Sequence, residues 1–203
     1  MQFGTDGIRG VANEALTPEL ALAVGRATAR VLGGPKIAVG LDPRWSGAML
    51  EAAFIAGVCS EGVDVERLGV VPTPAVAFRS QTDACPAAMI SASHNPFSDN
   101  GIKVFAPGGA KLTDSAQAAL EGVLATVTLG SSVQNVPTGT DVGSVVETAV
   151  LADYVSHVVD AVGVGSLREM SVVLDCANGA ASDVAADAFR RAGKNPVAAG
   201  EVV

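Results

Sequence analysis

Ile90-Ser-Ala-Ser-His-Asn-Pro-Phe-Ser-Asp-Asn-Gly-Ile-Lys-Val-Phe105 is the stretch whose reading decides the fold. It follows the apolar residues Ala87 to Ile90, which predict a buried strand delivering the small residues Ser91 and Ala92 to a turn. Ser93 sits on that turn. Asn95-Pro96 and Asp99-Asn100-Gly101 are turn formers: Pro fixes φ, Gly permits φ > 0, and Asn or Asp side chains bond nearby backbone groups. The chain is then expected to return through Ile102, Val104 and Phe105 as a short strand, bringing Lys103 back toward Ser93 and His94.

A serine among small residues, beside an imidazole and a returning ammonium, suits two chemistries. Acyl transfer needs a carboxylate to orient the histidine and usually a G-x-S-x-G elbow, which this chain lacks. Phosphoryl transfer fits better, because Lys103, His94, loop N–H groups and a divalent cation can all stabilise a phosphoserine. The residues alone also leave open a plain surface loop in which Ser93 and His94 are merely polar.

Outward from this loop, Gly4-Thr-Asp-Gly-Ile-Arg-Gly10 carries three glycines in seven residues and predicts a shaped loop. Such a loop can bring Arg9 to a phosphate, where a planar guanidinium makes a bidentate contact that lysine cannot; a simple turn with a solvated arginine is the alternative. Thr17-Pro18 starts a helix whose stripe is Leu20, Val24, Ala27 and Val31, ended by Gly33-Gly34. Ile37 to Leu41 is a strand, and Asp42 to Gly47 opens a second helix running to about Gly62, with Ser46 at the capping position and Asp42 and Arg44 as a structural pair. Val63 to Val71 is the next strand, and Pro72-Thr-Pro74 starts a helix through Ser80. A further helix runs from Asp114 to about Thr126. Strands alternating with helices predict a layered α/β domain with a mixed or mainly parallel sheet, its loop of interest at strand ends.

Val127 to Ser144, rich in Gly, Ser and Thr, reads as a connection. Beyond it, a helix with the stripe Leu151, Val155, Val158 and Val162 bridges to the start of a second, similar domain: strand Val172 to Asp175, tight loop Cys176 to Ala181, helix Ser182 to Ala192 and strand Pro196 to Gly200. His157, beside that stripe, reads as a surface or interface residue. Asp175 and Asn178 read as shaping the following helix N-terminus, with contact to substrate as the alternative. The division expected is therefore residues 1–145 and 146–203.

The 203 residues suffice for one full domain and part of another, and the 49% apolar fraction supports a core built mainly from aliphatic side chains, since aromatics make up only 4%. A net charge of −8 argues against nucleic acid and anionic membranes as partners. Cys59, Cys85 and Cys176 are widely spaced among small or apolar residues and read as reduced core residues. With neither a leader nor a long apolar span, the reading is cytoplasmic.

Five segments, in order, resemble the signatures of the α-D-phosphohexomutase superfamily: Phe3-Gly-Thr-Asp-Gly-Ile-Arg-Gly10, Asp42-Pro-Arg-Trp-Ser-Gly47, Pro72-Thr-Pro74, Ser91-Ala-Ser-His-Asn-Pro96 with Asp99-Asn-Gly-Ile-Lys103, and Asp175-Cys-Ala-Asn-Gly179. The first most resembles the branch acting on glucosamine phosphates; the mannose and glucose phosphomutases are sister alternatives. The resemblance implies that Ser93 is the phosphorylated nucleophile and a Mg²⁺ ligand, with Lys103 as acid-base group. It implies that Arg9 stabilises the transferring phosphoryl group and that His94 binds phosphate or positions the loop. The implied substrate is a hexosamine phosphate, primed by glucosamine 1,6-bisphosphate or glucose 1,6-bisphosphate. The family usually has a basic residue where this chain has Leu41. The family's Asp-Gly-Asp-Gly-Asp-Arg metal segment is absent from these residues. The expectation is accordingly an N-terminal portion that lacks mutase turnover alone, whose incomplete second sheet leaves edges for self-association.

Overall fold

The structure, a computed structural model, describes residues 7–128 and 136–193 and the backbone of Val197–Ala198. The chain divides into two units, Met1–Thr148 and Ala149–Val203. In the first unit the strands are β1 (Ile8–Val11), β2 (Lys36–Leu41), β3 (Asp64–Val70), β4 (Ala87–Ile90), β5 (Asp99–Ala106), β6 (Ala110–Lys111) and β7 (Val145–Glu147). They form one mixed sheet in the order β1-β5-β4-β2-β3-β7, with β6 paired to the end of β5. The β4–β2–β3–β7 run is parallel, whereas β5 is antiparallel to both β4 and β1.

The first unit's helices are α1 (Pro18–Leu32), α2 (Gly47–Cys59), α3 (Thr73–Asp83) and α4 (Asp114–Thr128). Local chemistry explains their starts. Thr17 Oγ1 accepts the Leu20 N–H at 3.3 Å, and Pro18 occupies the first turn, where no N–H is missed. Strand periodicity then sorts the sheet's faces. Ile37, Val39 and Leu41 of β2, Ala88 and Ile90 of β4, and Ile102 and Val104 of β5 share one core with α1, α2 and α4. Ala38, Ala87 and Met89 point the other way and are buried on the side where α3 packs.

Glycine sets how closely α1 and α2 cross. A Cβ on Gly25 would lie 2.2 Å from the Phe54 carbonyl oxygen, and one on Gly57 would lie 2.1 Å from that of Leu22. Each helix thus presses its backbone into the other's gap.

On the α3 side, Lys36 Nζ meets Glu66 at 2.7 Å and also bonds Asp83, while Arg79 bonds both carboxylates at 2.9 Å. This four-residue network ties β2 and β3 to α3. Arg79 first, then Lys36, holds the Glu66 carboxyl below its ordinary value of 4.5, with burial opposing.

In the second unit, β8 (Val173–Leu174) and β9 (Val197–Ala198) pair in parallel around α6 (Ser182–Arg191), and α6 packs on α5 (Leu151–Val162). Its small core is Val155, Val159 and Val184, lined by Leu151, Tyr154 and Ala188.

The structure corrects several expectations. Asp99-Asn100-Gly101 lie inside β5, not in a turn, because Val11, Gly10 and Arg9 pair with them in register. By the same pairing Ile8 to Gly10 are strand; Gly4 to Asp6 fall outside the described residues. The connection after α4 contains a single 3-10 turn at Gly139–Asp141 and then β7, with residues 129–135 outside the described part. On α5 the buried seam runs through Val155 and Val159, and Val162 is 53% exposed in the last turn. The expected strand Val172 to Asp175 contracts to Val173–Leu174, and α3 extends past Ser80 to Asp83. Cys59 and Cys85 are buried, but Cys176 is only partly so, in the loop after β8. Burial pushes the Cys59 and Cys85 thiols up.

Two outcomes follow for the first unit. Gly57→Ala is expected to destabilise it by about 1–3 kcal/mol through overpacking against α1, read as a lower urea midpoint. Because the folded Glu66 carboxyl titrates below its unfolded value, its stabilisation is present above pH 4.5 and is lost as pH falls through the folded value. Glu66→Gln is expected to flatten the acid limb of a pH–stability curve below that point while lowering stability near neutrality.

Candidate active site

Strand order decides which loops meet. β2 and β4 are adjacent and parallel, with Leu41 opposite Ile90. The segments leaving their C-terminal ends, Asp42 to Ser46 and Ser91 to Ser98, therefore emerge side by side, joined at the base by the Asp42 N–H to the Ile90 carbonyl at 3.0 Å.

Arg44 binds these two loops together. Its Nε–H donates to Asp42 Oδ2 at 3.0 Å; Nη1 donates to the carbonyls of Pro96 and Asp99 at 2.6 and 2.9 Å; Nη2 donates to those of Ser93 and Asn95 at 2.8 and 2.9 Å. A guanidinium has five N–H groups, and here every one has an acceptor. Asp42 and Arg44 are each 8% exposed, so the pair is buried and hydrogen-bonded throughout. The expected Asp42–Arg44 pair is present, and its larger task is holding the serine loop.

A second line of bonds runs through Asp42. Ser91 Oγ donates to Asp42 Oδ2 at 2.5 Å and accepts the Ser93 N–H at 3.0 Å. Ser93 has φ of 58°, a left-handed conformation that costs a serine on the order of 1–3 kcal/mol. The surrounding bonds offset that cost, and the Ser93 side chain is left exposed. Asn95 Nδ2 donates to Asp99 Oδ2 at 3.0 Å, and buried Asn100 donates to Ser46 Oγ at 2.9 Å. Ser46 stands at the start of α2 as expected, but its hydroxyl serves Asn100 rather than capping the helix.

Of the four predicted site residues, three lie on this loop or reach it. His94 is exposed, with Nδ1 3.4 Å from Ser93 Oγ. Arg9, opposite Gly101 on β1, reaches the loop at Asn95 Oδ1, 3.4 Å from Nη1, and its Nε is buried without a hydrogen-bond partner among the described residues. Gly101 makes that path available: a Cβ there would sit 2.9 Å from Arg9 Cγ and 2.6 Å from the Ser91 carbonyl oxygen. Lys103 lies two residues further along β5, on the same face as Arg9 by pleat alternation, and its ammonium is 5.5 Å from the centre of the Phe105 ring. Ser93, His94 and Arg9 thus meet at one loop, whereas Lys103 stands opposite Met89 within the sheet, its ammonium by Phe105. Leu41, where a charge contact was in question, is 7% exposed and part of the core.

Among the described residues, no group of three His, Cys, Asp or Glu side chains comes together to hold a metal ion. The described residues therefore bring no carboxylate or imidazole cluster of their own to a Mg²⁺ ion. Nor is any helix among them long and apolar enough to cross a membrane. In the second unit, Asp175 Oδ1 accepts the Ala177 N–H at 2.9 Å, and Ala177 and Asn178 have φ of 48° and 52°. This is a shaped turn leading into α6, in keeping with the structural reading of Asp175 and Asn178. His157 is exposed on α5.

Removing Arg44 leaves Asp42 buried without its cation and takes a donor from four carbonyls, those of Ser93, Asn95, Pro96 and Asp99. Arg44→Ala is expected to cost the first unit about 3–5 kcal/mol, against within about 0.5 kcal/mol for the exposed Arg190→Ala, compared by urea unfolding.

Residues 1–130 match the family described as phosphoglucomutase/phosphomannomutase, alpha/beta/alpha domain I. Over 203 aligned residues the chain is 52% identical to a phosphoglucosamine mutase of Rhodococcus opacus and 50% identical to that of Mycobacterium tuberculosis H37Rv, covering 97% of this chain and 45% of each relative. The chain thus spans somewhat less than half the length of these curated relatives. A phosphoglucomutase/phosphomannomutase family protein of Burkholderia thailandensis superposes with a TM-score of 0.77 at 28% identity, over 95% of this chain and 42% of that one. The open form of pp63/parafusin from Paramecium, a phosphoglucomutase, gives 0.71 at 18% identity over 97% of this chain and 43% of that one, a likeness of fold alone. With the match spanning well over half of its residues, the chain belongs to the phosphoglucomutase/phosphomannomutase family, of which it carries the alpha/beta/alpha domain I.

Proposed function

We propose that the chain carries the phosphoserine centre of a phosphoglucosamine mutase, which interconverts glucosamine 6-phosphate and glucosamine 1-phosphate in the cytoplasm through a bisphosphate intermediate. Half-identity to phosphoglucosamine mutases along almost the whole chain supports the substrate class. The observation that carries the reading is the loop itself: an exposed Ser93, held in a left-handed conformation by its neighbours, beside an imidazole and an arginine.

In this reading phosphorylated Ser93 donates to a sugar hydroxyl. A bond forms between the sugar oxygen and phosphorus as the Ser93 Oγ–P bond breaks. The sugar hydroxyl gives up its proton and Ser93 Oγ regains one, with Lys103 assigned as the acid-base group. Arg9 meets charge spread over the transferring oxygens, and its rigid approach over Gly101 means little reorganisation as that charge develops. His94 binds phosphate or steadies the loop. The reverse step, from the other end of the bisphosphate, regenerates phosphorylated Ser93. Mg²⁺, when bound, would neutralise phosphoryl charge at Ser93, and the primer is glucosamine 1,6-bisphosphate or glucose 1,6-bisphosphate.

Incubating the chain with glucose 1,6-bisphosphate and Mg²⁺ is expected to add one phosphoryl group to the peptide containing Ser93, read by peptide mass spectrometry. Ser93→Ala is expected to take none, and Arg9→Ala to take it about a hundredfold more slowly. An unmodified Ser93 peptide in the folded wild-type chain would count decisively against the proposal. Glucosamine, mannose and glucose phosphates supplied in competition to phosphorylated chain separate this branch from its sisters.

A further inference from the structure

Ser91 has no assigned role in the chemistry above, yet its side chain bonds the backbone N–H of Ser93. Its Oγ makes two bonds at once. As donor it is fixed by Asp42 Oδ2 at 2.5 Å; as acceptor it takes the Ser93 N–H at 3.0 Å. Asp42 is itself fixed by Arg44 through the Arg44 backbone N–H at 3.1 Å and Nε at 3.0 Å. The direction of the Ser91 hydroxyl is therefore dictated: its proton goes to the carboxylate, which leaves a lone pair for Ser93. On the other side of the Ser93 peptide, the carbonyl is held by Arg44 Nη2 at 2.8 Å. Both polar groups of Ser93's backbone are thus tied to one buried Asp42–Arg44 pair, and between those ties lies the φ of 58°.

We propose that Ser91 is a positioning residue for the phosphoryl carrier: oriented by Asp42, its hydroxyl clamps the Ser93 N–H and, with Arg44 on the carbonyl, locks Ser93 in the left-handed conformation that presents its Oγ outward. This rests on Ser93 being the phosphoryl carrier. A further consequence is that the Ser93 N–H is committed to Ser91, so phosphate on Ser93 must draw its donors from other groups. Without the clamp, Ser93 relaxes toward the favoured negative-φ regions and its Oγ moves off the line of attack, a displacement of a kind that slows reactions by one to two orders of magnitude.

The test compares wild type, Ser91→Ala and Ser91→Thr, the last keeping the hydroxyl. Two readouts are taken on the whole chain: solvent exchange of the Ser93 amide by NMR, and the rate of phosphoryl uptake by Ser93 from glucose 1,6-bisphosphate at varied concentration. Ser91→Ala is expected to speed Ser93 amide exchange and to lower the maximal uptake rate about tenfold or more, with the half-saturating bisphosphate concentration unchanged. Ser91→Thr is expected to restore both. Should Ser91→Ala fail to fold, Ser91→Cys, whose thiol is a weak acceptor, carries the same comparison. Wild-type exchange and uptake in folded Ser91→Ala, or a folded Ser91→Thr that restores neither, overturns the proposal. If the wild-type chain takes up no phosphoryl group, the phosphoserine reading fails, while the exchange data alone still decide whether Ser91 clamps the loop.

Discussion

One buried guanidinium holds the serine-loop end of the first unit together. The serine loop runs from β4 to β5 without regular secondary structure, so its carbonyls have no ladder to satisfy them. Arg44 supplies what a strand would have supplied, accepting the cost of burial in return for Asp42 and four carbonyls. Lysine has three donors radiating from a point and could not match a planar fork that spans Ser93 to Asp99. Because the charge is paired and all its donors are used, it rigidifies rather than strains the site.

That arrangement depends in turn on the sheet. Adjacent parallel β2 and β4 place two loop origins side by side, and antiparallel β5 then brings Gly101 back beside Ser91. Antiparallel β1 adds Arg9 from the outer side. Arg9 and Asn95, 86 residues apart in sequence, therefore meet on one loop carried by the sheet. The closely nested α1 and α2 back the sheet from beneath.

Much of this was legible in the chain. Apolar runs marked β2, β3 and β4, Thr17-Pro18 marked a helix start, and Ser91 to Pro96 marked the loop between β4 and β5. What escaped had identifiable causes. Asp99-Asn100-Gly101 has turn chemistry, but its glycine answers a close approach by Arg9 and Ser91, which local spacing does not encode. β1 was hidden because glycines at positions 7 and 10 mask a strand that exists only through its partner. Arg44 was visible as a mate for Asp42, yet nothing within its own loop signals that its other donors reach residues 49 to 55 positions downstream. The α5 seam was misplaced by one position at its C-terminal end, since valines at 158, 159 and 162 fit two helical stripes equally well and only packing against Val184 and Ala188 selects one.

The short strand β7 arrives late. After α4 and its connection, the chain comes back to lay Val145–Glu147 along β3, and Arg67 bridges Glu51 on α2 to Glu147 on this strand. An excised first unit ending inside the connection would bare the β3 backbone as a sticky margin and strip Arg67 of its outer carboxylate. The natural place to part the polypeptide is after Thr148, whose N–H still bonds the Arg67 carbonyl; an earlier cut would trade a finished border for one that recruits neighbours.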